Sequence, residues 1–192
     1  MSESLKNIKG TQDILFDDNN VWQYLESSIH KFLNKYGFLQ IRTPLFENTT
    51  LFSRSIGLQT DIVSKEMYSW TDQGGNNLTL KPEVTASVVR AYIQHNLGKK
   101  NPINKLYYID TLFRRERPQK GRYRQFNQFG VEAIGSPHPE QDAEIIALAY
   151  NFYRSLNIKN LTLKVNSIGS LDARSQYKKV LKKYLTPYKN KL

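Results

Sequence analysis

Residues 106–135 constrain the fold more than any other part of this chain of 192 residues. Residues 106–113 are apolar, aromatic and β-branched, which is typical of a buried strand. Residues 114–124 contain five arginines and one lysine, and Pro118 and Gly121 interrupt regular structure there. Residues 125–134 resume an alternating pattern. The segment therefore predicts two strands joined by a basic loop.

One face of the second predicted strand is polar. Phe126, Gln128 and Glu132 share this face, because successive side chains of a strand point to opposite sides. Phe126 offers a stacking surface for a base, Arg114 and Arg122 offer planar donors for phosphates, and the amide and carboxylate can hold an ammonium group. The combination predicts a site for an adenine nucleotide and an amino acid. Alternatively, the hairpin is a solvated basic surface without a ligand.

Two parts of this segment carry a resemblance. Residues 113–116 (Phe-Arg-Arg-Glu) and 124–128 (Arg-Gln-Phe-Asn-Gln) resemble motif 2 of the class II aminoacyl-tRNA synthetases. The longer string at 115–126, Arg-Glu-Arg-Pro-Gln-Lys-Gly-Arg-Tyr-Arg-Gln-Phe, resembles the bacterial histidyl-tRNA synthetase family. The resemblance implies an α+β fold with a class II antiparallel β-sheet flanked by helices, incomplete at its C-terminal side.

The resemblance also implies a role for each matching residue. Arg114 would contact the α-phosphate of ATP and be the main catalytic group. The residues implied for ATP are Arg114, Glu116, Arg122 and Phe126; for histidine, Glu83, Thr85, Gln128 and Glu132; and for the tRNA acceptor end, Arg117 and Gln119. The family uses ATP with Mg²⁺, and we expect no metal site built from protein ligands alone.

Residues 80–86 contain a second part of the implied site. Pro82 is expected to start a helix, which would put Glu83 in the first turn. There its carboxylate either complements the helix dipole or binds the amino group of a substrate. Lys81 and Val84 depart from the family pattern, which more often has arginine and glycine at these positions. The apolar face of the helix is predicted to carry Val88, Val89, Tyr92 and Ile93.

Residues 18–44 resemble motif 1 of the same class. Apolar residues at helical spacing from Asp18 onward predict a helix capped by Asp17 or Asp18 and ended by Gly37. A short strand at 38–42 then stops before Pro44. Taken alone, this helix and strand are core material. The resemblance implies that they form a homodimer interface.

The other segments predict a mixed α and β chain. Residues 67–70 and 78–80 predict a hairpin, and residues 51–65 show little periodicity. Residues 140–156 and 172–185 predict helices, with a strand at 161–165 between them.

The charge distribution indicates a polyanionic partner. The net charge is +11, with 9 Lys and Arg against 10 Asp and Glu in residues 1–96, and 19 against 7 in residues 97–192. Such a localised excess favours RNA binding, or else forms a solvated basic surface. The chain has no cysteine and no apolar run of about 18 residues, so we expect a cytoplasmic protein without disulfides or a membrane span. The three histidines are scattered, and we interpret them as structural or surface residues.

The resemblance implies that residues 1–192 are a single partial catalytic domain of a histidine–tRNA ligase. Motif 1 covers about 18–44 and motif 2 about 106–135, whereas motif 3 and the anticodon-binding domain are absent from these residues. The implied partners are histidine, tRNA(His) and a second subunit. One alternative is a non-catalytic paralogue, such as the regulatory subunit of ATP phosphoribosyltransferase. Another is a plain RNA-binding module, in which Glu83 and Glu132 would have no role.

Overall fold

The computed structural model describes residues 5–56, 66–117, 119–166 and 169–191. The chain divides into two compact units, Met1–Phe152 and Tyr153–Leu192. The helices are Phe16–Lys35 (α1), Thr49–Ile56 (α2), Thr85–Gln94 (α3), Leu97–Lys100 (α4), Pro139–Ser155 (α5) and Leu171–Leu185 (α6), followed by a 3-10 helix, Thr186–Lys191. The strands are Leu39–Gln40 (β1), Phe46–Asn48 (β2), Tyr68–Thr71 (β3), Asn77–Leu80 (β4), Asn104–Phe113 (β5) and Gln125–Ile134 (β6). None of the helices in the described ranges is long and apolar enough to cross a membrane.

The strands form two three-stranded sheets. In the first, β5 pairs with β6 in antiparallel fashion along its whole length, and β1 runs parallel to β5. In the second, β4 lies between β2 and β3, and both pairings are antiparallel. The Lys81 backbone connects the sheets, because its N–H donates to the Leu45 carbonyl at 3.0 Å and its carbonyl accepts from the Phe113 N–H at 3.1 Å. The predicted α+β architecture is confirmed, with β1 as a parallel addition.

Helices cover both faces of the β5–β6 hairpin. On one face Phe152 of α5 packs edge to face against Phe129 of β6 at 5.0 Å between ring centroids, and against Phe32 of α1 at 5.3 Å. Burial of an aromatic side chain of this size stabilises the fold by roughly 1.5–3 kcal/mol. On the other face Val84 and Val88, beside and within α3, join a buried cluster with Leu106, Tyr108 and Leu112 of β5.

Glycine ends the first helix as predicted. Gly37 has a φ of +75°, a conformation that glycine adopts without steric cost. Its N–H donates to the Asn34 carbonyl and the Phe38 N–H donates to the Leu33 carbonyl, which is the Schellman arrangement. The start of the helix differs from the prediction. The helix begins at Phe16, so Asp17 and Asp18 lie in its first turn, where their charges complement the helix dipole.

Three other expectations were wrong. Residues 161–165 are not a strand, because a strand requires a partner and this segment pairs with no other strand in the described ranges. Helix α3 begins at Thr85 rather than at Pro82, and Val89 and Ile93 on its predicted apolar face are exposed. Val88 is buried as predicted, and the buried side of α3 otherwise carries the small residues Ala86, Ser87 and Ala91. Val88 packs against the sheet, in the cluster with Leu106, Tyr108 and Leu112.

A buried ion pair supports the loop that precedes α3. The Lys81 side chain is fully buried, and its ammonium contacts the Asp110 carboxylate on β5. The same ammonium donates to the Thr43 carbonyl at 3.2 Å and to the Thr43 hydroxyl at 3.3 Å. A buried charge is tolerated when it is paired and hydrogen-bonded in this way. Lys81 therefore links the chain after β1, the end of β4 and the middle of β5.

We predict that Asp110→Ala lowers the free energy of unfolding by about 3–5 kcal/mol, because the Lys81 ammonium would stay buried without its carboxylate. Urea denaturation measures the change. Glu144→Ala is the control, because it removes the partly exposed Lys105–Glu144 pair and should cost about 1 kcal/mol or less. A small and equal loss in both variants would contradict the structural importance of the Lys81 contact.

Candidate functional site

The pairing of β5 with β6 determines which side chains share a face. Phe126 lies opposite Leu112, and Glu132 lies opposite Leu106. Leu106 and Leu112 belong to the buried cluster under α3, and Phe126 packs against that cluster. Gln128, two residues along β6 from Phe126, is on the same side and is exposed. The hairpin and shared face predicted from the sequence are therefore present.

A cavity of about 520 Å³ lies at the open end of this hairpin. It is lined by Gln12, Ile14, Trp22, Arg114, Glu116, Gly121, Arg122, Tyr123, Gln125, Phe126 and Asn127. All four residues that the sequence analysis assigned to ATP are in this set. The cavity combines an aromatic ring with two guanidinium groups, which is the chemistry that a nucleotide requires.

The charged groups in this hairpin cavity hold one another in place. Glu116 lies 3.7 Å from the Arg114 guanidinium and 3.4 Å from that of Arg122. Arg114 also lies over the Phe126 ring, 5.2 Å from its centroid, and its Nε donates to the Pro82 carbonyl at 2.9 Å. Arg114 thus connects the hairpin cavity to the segment that carries Glu83.

Glu83 caps helix α3 from outside the helix, and not from its first turn as predicted. It was expected in the first helical turn, but it precedes the N-cap residue Val84. Its carboxylate accepts from the Ala86 N–H, at 3.0 and 3.3 Å from the two oxygens. The valine cannot cap the first amide groups of α3, so the carboxylate supplies the missing acceptor. This bond fixes Glu83 beside Thr85.

A second cavity of about 890 Å³ adjoins Glu83 and Thr85. Its other lining residues are Glu47, Asn48, Thr50, Leu51, Arg54, Ala86, Val89, Arg90, Ile93 and Gln94. The Thr85 hydroxyl donates to Glu132 Oε1 at 2.7 Å, so α3 and β6 meet at this point. Three of the four residues assigned to histidine are therefore close together, and Gln128 follows on the same face of β6.

Burial makes the Glu132 carboxyl group a weaker acid than usual. Desolvation raises the pKa of Glu132, the hydrogen bond from Thr85 partly offsets this, and the negative charge of Glu83 adds to the increase. Two carboxylates near one another disfavour ionisation of both unless a cation joins them. An ammonium or an imidazolium is the cation that this site suits.

The two residues assigned to tRNA lie in the loop of the hairpin. Arg117 and Gln119 are exposed, and Pro118 between them lies outside the described residues. The Gln119 and Arg122 backbones exchange hydrogen bonds of 2.9 and 3.2 Å, and Gly121 has a φ of +78°. The loop therefore closes as a tight turn, and it presents basic side chains to solvent.

Sequence reasoning missed the contribution of the N-terminal segment. The Gly10 carbonyl accepts from the N–H groups of Arg124 and Gln125, at 2.7 and 3.2 Å. The Arg124 stem packs so closely on Gly10 that a Cβ there would lie 2.7 Å from Arg124 Cγ. This contact brings Gln12 and Ile14 to the hairpin cavity. The turn-like residues at 9–13 were visible in the sequence, but their partner was not.

The described residues contain no group of three or more His, Cys, Asp and Glu side chains placed to hold a metal ion. Glu116 is the only acidic residue among those lining the hairpin cavity, and it is paired with two arginines. This donor set fits Mg²⁺ only as an ion carried mainly by the phosphates of its nucleotide.

Comparison with known proteins identifies the family. The model of the histidyl-tRNA synthetase family matches residues 10–176. The chain belongs to the histidyl-tRNA synthetase family. The histidine–tRNA ligase of Staphylococcus epidermidis is 50% identical over 184 residues, which are 95% of this chain and 43% of that protein. The chain thus spans less than half the length of the curated relatives it matches.

Solved structures agree with this assignment to the histidyl-tRNA synthetases. Apo histidyl-tRNA synthetase from S. aureus matches with a TM-score of 0.75 and 41% identity, over 98% of this chain and 44% of that chain. A protein from Bacillus halodurans, described as an ATP phosphoribosyltransferase regulatory subunit/histidyl-tRNA synthetase, matches with a TM-score of 0.69 and 24% identity, over 81% and 39%. The second match shows the shared fold alone.

We predict that Glu132→Gln stabilises the protein near pH 7.5 and has little effect near pH 4. The raised pKa of Glu132 means that folding favours its protonated form, so its contribution to stability is lost as pH rises through the folded-state pKa. Thermal unfolding at the two pH values measures this, and Thr85 can still donate to the amide oxygen.

Glu144→Gln is the matched control for this pH dependence. The hydrogen bond from Lys105 lowers the pKa of Glu144, so its contribution is present at neutral pH and lost on acidification. This variant should therefore be destabilised near pH 7.5. If Glu132→Gln and Glu144→Gln shift stability in the same direction at that pH, the burial argument for Glu132 is wrong.

Proposed function

We propose that the protein containing this chain is a histidine–tRNA ligase and that these residues form the N-terminal part of its catalytic domain. The reaction would join histidine to the α-phosphate of ATP, release pyrophosphate and transfer the histidyl group to tRNA(His). The observation that carries the proposal is the cavity at the hairpin end, where Arg114, Glu116, Arg122 and Phe126 converge.

ATP would occupy this hairpin cavity. Adenine would stack on Phe126, and the Glu116 carboxylate would accept a hydrogen bond from its amino group. Arg122 would bind the outer phosphates, because guanidinium groups suit paired phosphate oxygens. Stacking of the base would displace the Arg114 guanidinium from the Phe126 ring toward the α-phosphate. The Nε bond to the Pro82 carbonyl would keep Arg114 anchored during this movement.

Histidine would bind between α3 and β6. Glu83, Thr85 and Gln128 would hold its amino group, and Glu132 would accept an N–H of the imidazole ring. A site built to hydrogen-bond a polar ring rejects ring analogues that leave its buried groups unpaired. The hydrogen bond between Thr85 and Glu132 supports this assignment, because it brings the proposed amino-group site next to the proposed imidazole site.

The chemistry requires no protein nucleophile. The carboxylate of histidine would attack the α-phosphorus in line, and the bond to the pyrophosphate oxygen would break. Arg114 would stabilise the negative charge that develops on the phosphoryl oxygens. Mg²⁺ bound to the outer phosphates would help neutralise the leaving pyrophosphate.

The remaining partners follow from exposed features. The hairpin loop, with Arg117 and Gln119, would meet the acceptor end of tRNA, and the positive charge of residues 97–192 would attract its phosphates. Residues 18–44 would form a homodimer interface as motif 1. The protein would act in the cytoplasm, where translation takes place.

We predict that Arg114→Ala lowers histidine-dependent ATP–pyrophosphate exchange by about a hundredfold or more, because a charge-stabilising donor at phosphorus is lost. The assay uses the form that is active, either these 192 residues or a longer polypeptide that contains them. Arg115→Ala is the control, because Arg115 is the adjacent arginine and is exposed outside the hairpin cavity.

Three outcomes of the exchange assay separate the candidates. Exchange that depends on histidine alone and is lost with Arg114→Ala supports the proposal. Near-normal exchange in Arg114→Ala would contradict the role of Arg114. Histidine binding without exchange in any form of the protein would favour a regulatory paralogue.

A further inference from the structure

One buried tyrosine has its hydroxyl group against Gly130, beside residues assigned to histidine. Tyr108 lies opposite Gly130 in the β5–β6 register, on the same face as Gln128 and Glu132. A Cβ atom built on Gly130 would lie 2.3 Å from the Tyr108 hydroxyl oxygen. The phenol therefore crosses β6 through the space left by the missing side chain. Its hydroxyl therefore lies on the face of β6 between Gln128 and Glu132, the same-face neighbours of Gly130.

The Tyr108 hydroxyl has polar surroundings, although its ring packs in the apolar cluster under α3. The Thr85 side chain interacts with this hydroxyl, and Glu132, Glu83 and Asp110 contribute negative charge nearby. Burial, and then the charge of Glu132, raise the pKa of Tyr108 to about 12. The hydroxyl therefore keeps its proton at neutral pH and is available as a donor.

The direction of the hydrogen bonds follows from counting protons. The Thr85 hydroxyl has a single hydrogen, which it donates to Glu132 Oε1 at 2.7 Å. A hydrogen bond between Thr85 and the protonated Tyr108 hydroxyl would therefore have Tyr108 as its donor and Thr85 as its acceptor. Such a chain would run in one direction, from Tyr108 through Thr85 to Glu132. It leaves Glu132 Oε2 for a ligand.

We propose that Tyr108 is a positioning residue for amino-acid selection, and that Gly130 is required to admit its hydroxyl. Tyr108 orients Thr85 and, through it, one oxygen of Glu132, so that the other oxygen faces an N–H of the substrate ring. This inference rests on the proposed function, because the ligand it selects is the imidazole of histidine. Tyr108 would act on the substrate indirectly, by orienting Thr85, and would not contact the substrate itself.

The test compares two buried tyrosines that are adjacent on β5. Tyr108→Phe removes the hydroxyl that faces Thr85. Tyr107→Phe is the matched control, because Tyr107 is also buried and its hydroxyl has a partner, His30 Nδ1 at 2.7 Å, on the other face of the hairpin. The form of the protein that supports histidine-dependent exchange is used, and KM is measured for histidine and for ATP.

Tyr108→Phe is expected to raise the KM for histidine about tenfold or more and to leave the KM for ATP unchanged, since one hydrogen bond to a charged pair is lost. Tyr107→Phe should change neither KM. An equal loss of exchange activity in both variants, or an unchanged KM for histidine in Tyr108→Phe, would overturn the assignment. If no form of the wild-type protein binds or activates histidine, the proposed function fails and this inference with it.

A spectroscopic measurement separates positioning from packing. Bound histidine labelled with ¹⁵N in its ring reports, by the shifts of the two nitrogens, which of them carries hydrogen. We expect Tyr108→Phe to change the ring shifts of bound histidine, because Glu132 loses its fixed orientation, and Tyr107→Phe to leave them unchanged. Unchanged ring shifts in Tyr108→Phe would overturn the orienting role.

Gly130→Ala provides an independent second variant that keeps the hydroxyl group. The added Cβ would occupy the position of the Tyr108 hydroxyl, so the side chain must move. Loss of histidine selectivity with unchanged ATP binding is expected. A Gly130→Ala protein that binds histidine as the wild type does would contradict the requirement for glycine.

Discussion

The antiparallel pairing of β5 with β6 is the constraint on which the rest of the structure depends. Because side chains alternate along a strand, this one register decides which residues face α3 and which face α1 and α5. A slip by one residue would turn Phe126 and Glu132 away from the side of the site. The backbone bonds from the hairpin to Gly10 and Lys81 then bring the N-terminal segment and the second sheet to the same place.

The hairpin was predictable because its physical signals are local. The apolar run of β5, the alternation of β6 and the breaking residues between them are contained in residues 106–135. The shared face of Phe126, Gln128 and Glu132 follows from parity alone. The association of Phe126 with Arg114 and Glu116 in one cavity also rests on short separation in the chain. The roles assigned to these side chains came from the resemblance and stay predictions.

The remaining features depend on contacts between distant segments, which sequence patterns do not contain. Helix α3 buries Ala86, Ser87, Val88 and Ala91 rather than Val89 and Ile93, because packing against segments distant in the chain decides which side is covered. Glu83 caps α3 because no capping side chain occupies position 84. Tyr108 looked like ordinary core in an apolar strand. Only its position across from Gly130 reveals that its hydroxyl lies on the face of β6 that carries Gln128 and Glu132.

The most direct test of this account is a crystal structure of the protein containing this chain with histidine and ATP bound. We predict adenine stacked on Phe126, the α-phosphate at Arg114, and an imidazole nitrogen within hydrogen-bond distance of Glu132. Such a complex would join the two cavities described here into one active site. Binding of either ligand away from the β5–β6 hairpin, or an imidazole that makes no contact with Glu132, would contradict it.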